Sequence, residues 1–194
     1  METEQTVSMQ LTLEQIKFRN HYFFSIRDPL TGLYDRGYFE EMFQRKLEET
    51  LQNNLPLAVM IIEIDHFKRY NNIYGPQAGD RVLKALSKFL KDSTRRIKDI
   101  VCRYGEDKFT LFLTGASLSA VLHREEDLRE RFKKIQETFD NQIFEEVSFS
   151  IGIAAFPENG STKETLLQEA ETNLLLNKNM KQREDLYDLN FHPI

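Results

Sequence analysis

Two groups of charged side chains in this sequence have the types and spacing that metal or phosphate chemistry requires. Glu63 and Asp65 end a run of apolar residues, and Glu106, Asp107 and Lys108 fill a short turn between two further apolar runs. Carboxylate oxygens are the ligands that Mg²⁺ prefers, and Mg²⁺ commonly accompanies a nucleoside triphosphate. The two groups therefore predict a divalent-cation site if the fold brings them together. The alternative is that they are solvated acidic residues at strand ends.

The first group is carried by a predicted central strand. Residues 57–62 form a continuous apolar run after Pro56 that is short for a helix and rich in branched residues, which is typical of a buried strand. Because side chains alternate along a strand, Glu63 and Asp65 should project to the same face.

The second group lies at the tip of a predicted β-hairpin. Residues 100–104 supply one apolar arm, and alternating apolar residues at 109–113 supply the other. Gly105 can open the turn between them at no steric cost. The three charged residues that follow Gly105 are unusual in a turn with a purely structural role.

The remaining segments predict an α+β fold in which helices pack on a mostly antiparallel sheet. Apolar spacing predicts amphipathic helices near residues 39–47, 82–90, 128–135 and 166–175. A further strand, 147–154, alternates large apolar residues with small ones, so its small face could admit close packing of a helix or a ligand. The hairpin is the only tight link between strands, which favours antiparallel pairing.

The chain divides into three predicted regions. Residues 1–26 carry an apolar stripe at helical spacing, which predicts either a signalling or dimerisation helix or a helix packed on its own domain. Residues 27–186 form the main domain, and 187–194 form a C-terminal tail.

Composition excludes several classes of protein. The net charge is −5 and no long basic block is present, so the electrostatic signature of a nucleic-acid binder is missing. The longest apolar run is far shorter than the roughly 20 residues of a membrane helix, and the first residues do not form a signal peptide. We therefore expect a soluble, cytoplasmic protein without membrane insertion. The single cysteine, Cys102, cannot form an internal disulfide.

Five motifs in order along the chain resemble those of the GGDEF family, the diguanylate cyclases that condense two GTP molecules into cyclic di-GMP. The matching segments read DPLTGLYDRGYF from Asp28, EIDHFKRYNNIYGPQAGDRVL from Glu63, RYGEDKF from Arg103, then SFSIGIA and AETNLLLNK. The matches run from Arg27 to about Arg183, which is nearly the whole chain.

The resemblance implies a cyclase-like palm with a five-stranded, mostly antiparallel sheet flanked by helices. In active members each protomer holds one GTP with two magnesium ions, and two protomers meet face to face. The resemblance assigns the guanine edge to Asn71 and Asp80, whose amide and carboxylate can match its donors and acceptors. It assigns phosphate contacts to Lys68 and Lys178 and places Gly105 beside the triphosphate.

The catalytic positions depart from the family pattern. The resemblance implies that Glu63 and Asp107 are metal ligands, but Glu63 stands where the family has aspartate. Glu106 replaces a glycine that, in the family, lets the backbone approach the triphosphate. Lys108 replaces an acidic residue, and an ammonium has no lone pair with which to bind a metal or accept a proton. Two further departures are Pro76 and Gln182. We therefore expect no diguanylate cyclase activity, a weak or lost metal site, no required cofactor, and Mg²⁺ only where residual GTP binding persists.

One ligand site of the family has its motif in place. Arg96 and Asp99 form an R-x-x-D pattern at the offset of the family's inhibitory product site. The arginine fork can address a guanine O6/N7 edge or a phosphate, and the carboxylate can accept from guanine N1 and N2. The resemblance implies a further arginine, supplied by the next helix or by a partner protomer, and Arg131 or Lys133 could fill this role. The alternative is an exposed ion pair in a charged loop.

Three functions remain open from the sequence. The first is a catalytically degenerate domain that binds cyclic di-GMP at Arg96 and Asp99 and signals through the N-terminal helix. The second is a residual enzyme, or a protein that binds GTP without turnover. The third is a ligand-free module that docks on another cyclase. A homodimer or a complex with a partner signalling protein is expected in each case.

Overall fold

The computed structural model describes residues 26–94, 99–138 and 147–191, with side chains as far as residue 183. The predicted N-terminal helix and Arg96 lie outside the described residues. The elements in chain order are α1 (Arg36–Asn53), β1 (Leu57–Ile64), α2 (Phe67–Tyr74), α3 (Pro76–Ser93), β2 (Ile100–Arg103), β3 (Lys108–Thr114), α4 (Leu118–Thr138), β4 (Phe149–Phe156) and α5 (Lys163–Phe191).

The strands form one antiparallel sheet, which confirms the predicted fold class. Their order is β2-β3-β1-β4, and each neighbouring pair runs antiparallel. The predicted hairpin is β2–β3, and the predicted central strand β1 lies between β3 and β4. The described ranges contain four strands, so the fifth strand implied by the family resemblance is not among them.

Both faces of β1 are buried, which explains its continuous apolar run. Ala58, Met60 and Ile62 face a core formed with α2, α3 and α4. Leu57, Val59 and Ile61 face a second core formed with α1 and α5. Continuing the alternation, Glu63 at the end of the strand lies on the side of α1 and α5.

The small face of β4 packs against helix α5 rather than a ligand. A Cβ placed on Gly152 would lie 2.0 Å from the carbonyl oxygen of Ala170 and 2.5 Å from the backbone nitrogen of Leu174. The absence of a side chain at Gly152 therefore lets the backbone of α5 lie directly on the strand.

Side chains of α5 bind the outer backbone edge of β4 at regular intervals. The Asn173 side-chain amide donates to the Ile153 carbonyl at 3.0 Å, and the Ile151 N–H donates to Asn177 Oδ1 at 3.0 Å. Four residues of helix rise about 6.0 Å, close to the ~6.8 Å spanned by two residues of an antiparallel strand. This match fixes how far α5 lies along β4 and therefore which of its residues reach the end of β1.

Helix α5 is the longest of the described elements, with 29 residues ending at Phe191, so it includes the first residues of the predicted C-terminal tail. Across the described ranges, no helix combines the length and apolar composition that a membrane crossing requires.

Candidate functional site

The two charged groups singled out in the sequence do meet. The backbone N–H of Ile64, beside Glu63, donates to the carbonyl of Asp107 at 3.1 Å, which joins the end of β1 to the hairpin tip. Glu63 and Lys108 are direct partners in the β1–β3 register. Directly opposed residues on antiparallel strands project to the same face, so their side chains are neighbours.

Lys108 lies between carboxylates from two different elements. Its Nζ is 3.0 Å from both side-chain oxygens of Glu171 on α5 and 3.5 Å from Glu63 Oε2 on β1. The other oxygen of Glu63, Oε1, accepts from Lys178 Nζ of α5. Each carboxylate oxygen of Glu63 therefore faces an ammonium group. Lys178, for which the resemblance implies a contact with phosphate, contacts the carboxylate of Glu63 in this structure.

Asp65 is held separately by α5 and β4. Its oxygens accept from Ser148 Oγ at 2.6 Å, Ser150 Oγ at 2.7 Å and Lys181 Nζ at 2.8 Å. Burial by itself raises the pKa of this carboxyl, but the hydrogen bonds from Lys181 and the two serines outweigh burial and leave the pKa below its ordinary value. Asp65 is thus an ionised structural anchor for α5.

Asp107 and Glu106 differ in their environments. Burial, together with the nearby charge of Glu63, raises the pKa of the Asp107 carboxyl. Glu106 is exposed, so its side chain can extend into solvent and need not crowd the site.

Arg103 holds the hairpin tip in place. Its guanidinium donates to the carbonyls of Gly105 at 3.2 Å and Glu106 at 2.8 Å. The same group binds both oxygens of Asp28 at 3.2 Å, which ties the tip to the turn before α1. The tip is therefore a pre-organised loop.

The donor set at this position does not fit a divalent cation. A Mg²⁺ ligand needs an oxygen lone pair directed at the metal, whereas both oxygens of Glu63 already face lysine ammoniums. Within the described ranges, no three His, Cys, Asp or Glu side chains are grouped so that they could hold a metal ion.

The predicted guanine-binding residues lie on α2 and α3. Asn71 has a buried side-chain oxygen with no hydrogen-bond partner among the described residues. A Cβ at Gly79 would lie only 1.9 Å from that oxygen, so the Asn71 side chain can take this position only because residue 79 is glycine. Asp80 and Lys68 are exposed and accessible to a ligand.

Of the two residues of the predicted R-x-x-D site, the structure describes Asp99. The Asp99 side chain is only 3% exposed, and its Oδ2 lies 3.8 Å from Nη2 of Arg124 on α4. Arg124 also donates to the carbonyl of Ser93, so it contacts described residues on both sides of positions 95–98 in the chain. Arg131, which the resemblance suggests for this role, forms an ion pair with Asp127 at 3.5 Å.

Three residues of these sites were missed by reasoning from the sequence. Glu171 and Lys181 lie seven residues before and three after Lys178, so helical spacing could have placed them on the same side of α5. Arg124 lies seven residues before Arg131, two turns or about 10.5 Å along the same face of α4, and no local motif distinguishes them.

Comparison with known proteins gives a consistent family assignment. Residues 25–184 match the family model described as "Diguanylate cyclase, GGDEF domain". The diguanylate cyclase DosC of Escherichia coli is 36% identical over 152 residues, which cover 78% of this chain and 32% of that protein. The chain thus spans about a third of the length of this curated relative.

Solved structures agree with the fold. The GGDEF domain of TpbB, also called YfiN, from Pseudomonas aeruginosa is 30% identical, with a TM-score of 0.71 over 79% of this chain and 89% of that one. The GGDEF domain of DgcB from Caulobacter crescentus, solved in complex with c-di-GMP, is 21% identical, with a TM-score of 0.72 over 81% of this chain and 89% of that one. At that identity the second comparison shows a shared fold alone.

Proposed function

This chain belongs to the GGDEF family of diguanylate cyclase domains, and from that premise we propose that it is a cyclic di-GMP receptor whose own palm site does not turn over GTP. The receptor site comprises Arg96, Asp99 and Arg124, with Arg131 further along the same helix face. A homodimer or a partner signalling protein receives the signal.

The observation that carries the proposal is the placement of Asp99 beside Arg124. The Asp99 side chain is nearly buried immediately before β2 and is paired with an arginine of α4, which is not the geometry of an exposed ion pair. An aspartate can accept from guanine N1 and N2, and an arginine fork can bind a guanine O6/N7 edge or a phosphate. Cyclic di-GMP presents guanines and phosphates together.

The lack of turnover rests on the chemistry of the palm site. Lys108 supplies no lone pair to a metal and cannot accept a proton from an attacking hydroxyl. Its ammonium is bound to Glu171 and Glu63, and Lys178 covers the remaining oxygen of Glu63. Incubation with GTP and Mg²⁺ followed by chromatography should give no cyclic di-GMP, and clear product formation would contradict this part of the proposal.

Calorimetric titration of cyclic di-GMP into nucleotide-stripped protein tests the receptor role. We expect binding in the wild type and its loss in Arg96→Ala. Arg45→Ala is the matched control, because Arg45 is an arginine on the exposed side of α1 with 67% of its side chain accessible. Absence of heat in stripped wild type would reject the receptor and favour a ligand-free docking module.

A second candidate function, binding of GTP without turnover, is favoured by Asn71. Its buried side-chain oxygen lacks a partner among the described residues, and a buried acceptor left unsatisfied costs about 1–3 kcal/mol. A guanine N–H donor would satisfy it. GTP binding that weakens in Asn71→Leu and persists in Arg96→Ala would assign this function to the palm site separately from the receptor site.

A further inference from the structure

We propose that the ammonium of Lys108 takes the place of the divalent cation at the palm site formed by Glu63 and the hairpin tip. An internal positive charge then holds this site together, and the site does not bind Mg²⁺ or Mn²⁺. The inference does not depend on whether the chain binds cyclic di-GMP, because that ligand is assigned to Asp99 and Arg124.

The first support is the position of the charge. Lys108 is fixed opposite Glu63 by the β1–β3 register, so its side chain starts beside the carboxylate on the same face of the sheet. Its Nζ then lies within 3.5 Å of oxygens from both Glu63 and Glu171. A single positive charge thereby bridges β1, β3 and α5, as a bound cation would.

The second support is that the groups joined by Lys108 are partly buried, which distinguishes this ion-pair network from a chance contact on the surface. The side chains of Lys108, Glu63 and Glu171 are 24%, 18% and 42% exposed. Lys178 occupies the remaining oxygen of Glu63 with its own side chain 27% exposed. The network therefore joins partly buried groups, in which charge pairs are less screened than on an open surface.

The third support is electrostatic. A dication approaching Glu63 would have to displace two ammoniums that are already paired with it, and it would meet their positive charge at close range. Of the two predicted metal ligands, Asp107 would then be left without Glu63, and a single carboxylate offers Mg²⁺, which gives up its water molecules reluctantly, little in exchange for its hydration shell.

Mn²⁺ is a suitable probe, because free Mn²⁺ can be quantified by electron paramagnetic resonance without any enzymatic readout. We expect no binding by the wild type at millimolar metal. Lys108→Glu removes the internal charge and supplies a carboxylate, and it should bind Mn²⁺ at least about tenfold more tightly than the wild type. Lys88→Glu, with the same charge change at a side chain that is 77% exposed on α3, should behave as the wild type.

Lys108→Met provides a milder test should the glutamate variant fail to fold. Methionine removes the ammonium and keeps an unbranched side chain only one atom shorter, so this variant should also gain Mn²⁺ binding. Circular dichroism verifies the fold of each sample. Mn²⁺ binding by the wild type equal to that of the variants, or folded variants that gain none, would overturn the inference. Titration of cyclic di-GMP into the same samples reports on the receptor role separately.

Discussion

The contact between Gly152 and α5 makes Gly152→Ala the sharpest test of how this fold positions its site. The added methyl group would lie 2.0 Å from the Ala170 carbonyl oxygen and 2.7 Å from Leu174 Cβ. Backbone atoms of a helix cannot rotate away as a flexible side chain can, so α5 would have to move outward by more than an ångström.

The magnitude follows from three contributions. Overpacking a well-packed contact costs about 1–3 kcal/mol. Moving α5 would also lengthen the hydrogen bonds of Asn173 and Asn177 to β4, each with a net contribution of about 1 kcal/mol. In the opposite direction, alanine reduces the conformational entropy of the unfolded chain, which stabilises the folded state by about 0.4–1 kcal/mol. We expect a net loss of about 3 kcal/mol in the free energy of unfolding, or a fall in Tm of roughly 6–12 °C for a chain of this size.

Urea unfolding followed by far-ultraviolet circular dichroism measures this loss, and it suits a chain without tryptophan. Gly37→Ala is the matched control, because Gly37 is an exposed glycine near the start of α1, where an added Cβ meets only Asp35 Oδ1 at 3.4 Å. Alanine there should stabilise the helix by up to about 1 kcal/mol. An unchanged unfolding free energy in Gly152→Ala would refute the close approach of α5 to β4.

Three further predictions concern single side chains. Because the Asp65 pKa is depressed in the folded state, its ionised form stabilises the fold above its unfolded pKa of about 4. Asp65→Asn should therefore be less stable at neutral pH, and its difference from the wild type should vanish as acid titration proceeds through the folded pKa. Cys102 is buried, which raises its thiol pKa to about 12, so it should react with a disulfide reagent at mildly alkaline pH only after unfolding; prompt reaction of folded protein would contradict its burial. Gly79→Ala should displace the Asn71 side chain, which can rotate, and so lower any affinity for GTP at least about tenfold with little change in Tm.

Local patterns account for most of the framework. The apolar run of β1 predicted a strand buried on both faces, and the alternation of apolar residues around Gly105 predicted the β2–β3 hairpin. Both predictions succeed because periodicity within a segment reports directly on which faces are buried. The small face of β4 predicted a close neighbour but left open whether it was a helix or a ligand, because an empty side of a strand does not identify what fills it.

The helix contact to Asp99 could not be predicted in the same way. Arg124 and Arg131 lie on one face of α4 and carry the same chemistry, so the choice between them depends on how far α4 slides along the sheet. That offset is set by packing between distant elements and leaves no signal in the spacing of either arginine.

By itself, the sequence determined the family and the order of the four strands and of four of the five described helices, because these follow from local periodicity and from motifs in a fixed order. It did not indicate α2, and it left the meeting of Glu63 with the hairpin tip conditional on the fold. Only the tertiary structure decided what Lys108 does there. Its partner Glu171 is 63 residues away in the chain and lies on α5, whose position depends on side chains that bind the edge of β4. A charge can be recognised from the sequence, but whether it repels a ligand or closes a site depends on which distant carboxylates the fold places around it.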